Sequence, residues 1–160
     1  MGLFDIFKNK VRPVDNKHVF DKAKYHDNSI EQLGLGEEQS FVHTGLFFAW
    51  PVNNGLMSGV FIEETGNEIE KLRTRKITPS TLYMNWDGVL LGEMLSEQGF
   101  NFAMKYFDFD KGTYITDYEN AFNVTGDQIF TVKDTWVNYD KIKPVIDAAY
   151  EKWSKSNYRR

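Results

Sequence analysis

Residues 37–55 read Glu-Glu-Gln-Ser-Phe-Val-His-Thr-Gly-Leu-Phe-Phe-Ala-Trp-Pro-Val-Asn-Asn-Gly, and this stretch decides the fold class. Glu37 and Glu38 suit the positive end of a helix dipole. Behind them Phe41, Val42, Leu46, Phe47, Ala49 and Trp50 recur at helical spacing as a broad apolar stripe. Pro51 removes the backbone bond to Phe47, so the helix is expected to kink or stop there, and Asn53-Asn54-Gly55 terminates it.

Working outward, the same spacing predicts a helix over Val60 to Lys76, with Phe61, Ile62, Ile69 and Leu72 inward and Gly66 weakening its middle. Thr78-Pro79-Ser80 opens a further segment that Asp87-Gly88 closes. Residues 89–107 read as helix in two pieces, interrupted at Ser96 to Gly99. Asp108 to Gly112 is a turn, and Thr113 to Phe122 suits a helix or a short strand. Ile129-Phe130-Thr131-Val132 is the best strand candidate. A last helix runs from about Tyr139 to Ser154, with Pro144 in its first turn or at a kink. Towards the N-terminus, residues 8–36 are polar and irregular, pinned to the domain by Tyr25 and Ile30. The expectation is a mainly α single-domain helical bundle with at most a small β-hairpin. Residues 1–23 would be a lead-in, 24–155 the globular domain and 156–160 a tail.

Composition narrows the function. The 160 residues hold 13 Phe, 8 Tyr and 4 Trp, enough to build a core and leave anchors for a partner. A net charge of −4 argues against nucleic acid and suits a cationic partner. The absence of Cys excludes disulfides, thiolate metal sites and thiol nucleophiles. No apolar run approaches the roughly 18 residues of a membrane span. Residues 1–10 lack the pattern of a secretory signal, so a cytoplasmic location is expected. Ile6 stands where a myristoylation motif wants Ser or Thr. Leu3, Phe4, Ile6 and Phe7 could form a short amphipathic helix, more in keeping with docking on the domain than with a membrane.

Four candidate sites emerge. Asp108 to Glu119 imitates a calcium loop, but Gly112 and Thr113 occupy places that want an oxygen ligand and a glycine, which leaves an acidic, solvated turn. His43, in the most apolar stretch, reads as a satisfied core histidine; its use as a base would need carboxylates such as Asp117 and Glu119 beside it. Lys71, Arg73, Arg75 and Lys76 suit a helix C-terminus. Asp108, Asp110, Asp117, Tyr118, Glu119, Asp134 and Trp136 combine carboxylates that steer with aromatics that anchor, a pattern for capturing a basic protein. The three His residues, at 18, 26 and 43, have no metal-ligand or triad spacing, so neither a metal nor a cofactor is expected.

Several stretches resemble a family of small, uncharacterised bacterial proteins. They are Lys24-Tyr25-His26-Asp27 with Ser29, His43-Thr44-Gly45-Leu46-Phe47-Phe48-Ala49-Trp50 with Gly55-Leu56, and Gly99 with Phe102-Ala103 and Tyr106. Tyr114 with Asp117-Tyr118-Glu119, and Asp134-Thr135-Trp136 with Asn138-Tyr139-Asp140, complete the set. In size and acidity such proteins are similar to immunity proteins of bacterial toxin systems. The resemblance implies a non-enzymatic module that occludes the basic cleft of a cognate toxin. The alternative is a small-ligand protein or enzyme using His43 with nearby carboxylates.

Overall fold

The computed structural model describes residues 12–157. The amphipathic reading of residues 1–10 therefore lies outside the described residues. Strand β1 (Val19–Lys22) is followed by a 3-10 turn (Ala23–His26) and helix α1 (Asp27–Leu33). A second 3-10 turn (Glu37–Phe41) leads into α2 (Val42–Asn53). Next come α3 (Gly59–Thr65), α4 (Glu68–Arg73), α5 (Thr81–Asn85) and strand β2 (Val89–Leu91). The chain ends in α6 (Glu97–Tyr106), α7 (Tyr114–Phe122), a 3-10 turn (Gly126–Thr131) and the long α8 (Trp136–Asn157). The domain is mainly α-helical with one two-stranded antiparallel sheet among the described residues, as expected.

Helix α2 is the axis of the molecule. Every residue from Val42 to Val52 is buried, so it is a central helix packed on all sides rather than a one-faced surface helix. Two glycine positions show how tightly its neighbours pack. A Cβ on Gly45 would lie 2.3 Å from Ser80 Oγ and 2.8 Å from Ser80 Cα, so only Gly lets the segment leading into α5 come this close. A Cβ on Gly112 would lie 2.1 Å from the carbonyl oxygen of Tyr106, which fixes the turn between α6 and α7. Phe47 stacks on Phe107 with ring centroids 4.4 Å apart, and Phe102 stacks on Tyr106 at 5.1 Å. Most of the aromatic load is core.

The sheet joins distant parts of the chain. Val19 pairs with Leu91, Asp21 with Leu90 and Lys22 with Val89, and the register shifts between Val19 and Asp21. This irregularity acts as a β-bulge. It turns two successive side chains, Phe20 and Asp21, into the core.

Local readings change at six places. Val89–Leu91 is a strand because it completes the ladder with β1, and the helix after it starts only at Glu97, capped by Ser96 Oγ on Gly99 N. Ile129 to Val132 does not form a strand. The carbonyls of Phe130 and Val132 instead accept both hydrogen bonds of Gln39 Nε2, at 2.7 and 2.9 Å, and Gln128 Oε1 caps Thr125 N. Pro51 neither stops α2 nor ends it early; the helix continues to Asn53, and Gly55 takes a φ of 69° beyond it. α8 starts earlier than expected, at Trp136, so Pro144 lies about two turns in. Ile30 is buried as expected, but Tyr25 is exposed and pins nothing. The single helix expected over Val60 to Lys76 is two, because Gly66, with a φ of 58°, separates α3 from α4, and Ile62 is exposed rather than inward. No helix among the described residues is long and apolar enough to cross a membrane.

Candidate metal centre

The bulge in β1 delivers Asp21 to a point where the first turn of α2 presents His43 and Thr44. The 3-10 turn after β1 brings His26 back onto the same carboxylate. His26 Nε2 lies 2.9 Å from Asp21 Oδ1 and 3.1 Å from Oδ2, so its N–H donates to the carboxylate. Thr44 Oγ1 donates to Asp21 Oδ2 at 2.5 Å. His43 Nε2 stands 3.6 Å from that same oxygen, too far for a hydrogen bond, and neither ring nitrogen of His43 has a hydrogen-bond partner among the described residues. One ligand atom from each of Asp21, His26 and His43 can be chosen so that all lie within 4.8 Å of one another. The side chains of Asp21 and His43 are fully buried, and His26 retains 15% of its side-chain surface.

The electrostatics suit a cation. Burial holds the His43 imidazole down at about 4, against the pull of Asp21, so it is neutral with a lone pair available at neutral pH. Burial alone would raise the Asp21 carboxyl. The hydrogen bond from His26 leads the effects that oppose this, and they hold it below its ordinary value. Two imidazoles and one carboxylate are the donor set of many zinc and non-haem iron sites. Metal–ligand bonds of roughly 2.0–2.2 Å place such donors about 3.5 Å apart, so closing on an ion requires the donors to draw together and the His26–Asp21 hydrogen bond to give way. Around the donors, Tyr114 Oη donates to the His43 carbonyl at 2.6 Å and fixes the backbone there. Tyr83 is fully buried; burial, with the Asp21 charge adding to it, pushes its phenol up.

The aromatic wall is equally specific. Phe130 meets His26 at 5.2 Å and His43 at 5.3 Å between ring centroids, and Phe109 meets them at 6.3 and 6.4 Å.

This buried cluster overturns the expectation of a non-enzymatic chain without metal or catalytic residues: Asp21, His26 and His43 can coordinate a metal or act catalytically. It also corrects the reading of His43 as a satisfied core histidine. The carboxylate beside His43 is Asp21, not Asp117 or Glu119. Asp117 accepts from Tyr106 Oη at 2.8 Å, and Glu119 Oε1 accepts from Gly126 N at 3.0 Å. Of the other acidic and aromatic positions, Asp108 Oδ1 accepts from the backbone N–H of Asp110 and Lys111, and Asp110 is exposed. Asp134 accepts from Thr78 Oγ1 and Ser80 N. Tyr118 is buried against Tyr114 and Phe122, and Trp136 Nε1 donates to the Ile77 carbonyl. Sequence reasoning passed over Asp21 and His26. His26 stood in one of the recognisable stretches, but its partner Asp21 lies in a segment that reads as irregular until β2 is paired with it.

A family model described as Domain of unknown function (DUF7832) matches residues 19–132. The chain belongs to this family. The matched segment begins at the first residue of β1 and contains all three DUF7832 residues of the cluster, whereas α8 lies beyond it. No curated protein and no solved structure gave a match.

Proposed function

We propose that this DUF7832 domain binds one divalent transition-metal ion through Asp21, His26 and His43 and uses it as a Lewis-acid centre for a small ligand or substrate. One observation carries the reading. His43 is wholly buried with both ring nitrogens unpartnered among the described residues, a cost of about 1–3 kcal/mol each, and a metal bond would remove it for one of them. Three protein donors leave at least one coordination position for water or substrate, as catalytic rather than structural sites do. The ion would polarise a bound oxygen or lower the pKa of a bound water. Thr44 holds the carboxylate through Oδ2, and Tyr114 holds the strand of backbone that carries His43.

The test is titration of chelator-treated protein with zinc(II), cobalt(II) and iron(II) by calorimetry, with cobalt(II) d–d bands reporting ligand geometry. One equivalent should bind, and Asp21→Asn, His26→Ala and His43→Ala should each abolish it while far-ultraviolet dichroism is retained. Unchanged binding in all three variants would refute the site.

A second reading, an immunity-type module that captures a basic toxin, has the net charge of −4 in its favour. Its carboxylates at Asp108, Asp117, Glu119 and Asp134 already serve internal hydrogen bonds. It would be tested by low-salt pull-down of a stoichiometric basic partner.

A further inference from the structure

The metal reading leaves open what the ion acts on, and the surroundings of the two histidines bear on that question. Asp21 and His43 present no side-chain surface to solvent, and only His26 does. A molecule reaching the ion must therefore approach along His26. Both phenyl rings that edge the two imidazoles stand on this route, but they differ in exposure. Phe130 is 4% exposed and belongs to the core, whereas Phe109 is 47% exposed.

Phe109 is an apolar ring half in water, beside two buried imidazoles, and the chain takes trouble to hold it there. It sits in the turn between α6 and α7. Asp108 Oδ1 accepts from the N–H groups of Asp110 and Lys111, the Gly112 N–H donates to the Asp108 carbonyl at 2.6 Å, and Gly112 cannot be replaced without striking Tyr106. From below, Phe107 supports the ring at a centroid distance of 5.9 Å. The charge on Asp21 is answered by two imidazoles and a hydroxyl.

Resting on the metal reading above, we infer that the centre takes a small organic substrate carrying a planar apolar group next to its metal-ligating oxygen, and that Phe109 is the wall against which that group packs. Phe109 is thus a specificity-determining residue.

The experiment uses the full chain loaded with cobalt(II) and two probes with the same ligating head, acetohydroxamate and benzohydroxamate. Each is titrated against the cobalt bands, and the affinity ratio is corrected for the ratio on free cobalt(II). Burying one face of a phenyl ring should favour benzohydroxamate on the order of tenfold. Phe109→Ala should bring the ratio to within about twofold without altering the cobalt spectrum or acetohydroxamate binding, and Phe109→Leu should restore part of it. Equal affinity for the two probes in the unaltered protein, or a preference that survives Phe109→Ala, overturns the inference while leaving the metal reading intact. Absence of cobalt bands before any hydroxamate is added overturns both.

Discussion

Lowering the metal-free protein from about pH 7.5 to about pH 4.5 is expected to remove roughly 2.5 kcal/mol of stability through His43. Its imidazole titrates near 6.5 in the unfolded chain and at about 4 in the fold, because burial penalises the charged ring. The unfolded chain therefore takes up the proton first. Stability is fully present above 6.5 and drains away as the pH falls towards 4, at up to about 1.4 kcal/mol per pH unit. Asp21, also held below its ordinary 3.8, acts in the same direction, but its contribution is lost only below that value. The interval above pH 4 thus separates the histidine from Asp21. Urea unfolding with chelator present, followed by Trp fluorescence at several pH values, should show the midpoint falling by about 1–2 M across the interval. In His43→Leu the fall attributable to this group should vanish, while Asp21 keeps its bonds from His26 and Thr44. Parallel pH profiles for the parent and His43→Leu would refute the argument, since they would mean that burial does not hold His43 neutral.

Other outcomes follow from the same geometry. Zinc(II) at a hundredfold excess over its Kd should add about 2.7 kcal/mol and raise Tm by roughly 5–10 °C, read by scanning calorimetry and absent in His26→Ala. Thr44→Val removes the hydroxyl that holds Asp21 Oδ2 and should weaken metal binding about 10–100-fold with little change in fold, while Thr44→Ser should retain most of the affinity. Gly45→Ala drives a Cβ into Ser80 and should cost about 1–3 kcal/mol in urea unfolding, whereas Gly34→Ala meets no atom within 4 Å and pays only for its left-handed φ of 65°.

The helical frame was legible because its signals are local. The apolar run of α2, the stripe of α6 and the face of α8 all repeat within one element, whereas the single helix expected over Val60 to Lys76 is divided at Gly66. Non-local pairing left no such trace. Leu90 and Leu91 carry the side chains of a helix stripe and became strand because β1, far earlier in the chain, supplies their hydrogen-bond partners. Ile129 to Val132 has strand composition but lost its carbonyls to the side chain of Gln39. The site failed to show for the same reason. His43 stood out as a histidine among apolar residues, but nothing local connects it to Asp21, whose inward direction depends on a register shift formed with β2. Acidic residues near aromatics at 108–119 and 134–136 drew attention by density alone, and the fold disperses them among turns, caps and core.

The shifted register between Val19 and Asp21 makes the site sensitive to chain length as well as to side-chain identity. Successive strand residues face opposite ways, so the spacing between Val19 and Asp21 works as an address. Val19 is exposed and could be exchanged for many residues with the carboxylate still facing the histidines. Deleting or inserting a single residue there would keep the composition, the helices and most of the core, yet turn Asp21 out towards water. At Val19, drift by substitution is tolerated and drift by insertion or deletion is not.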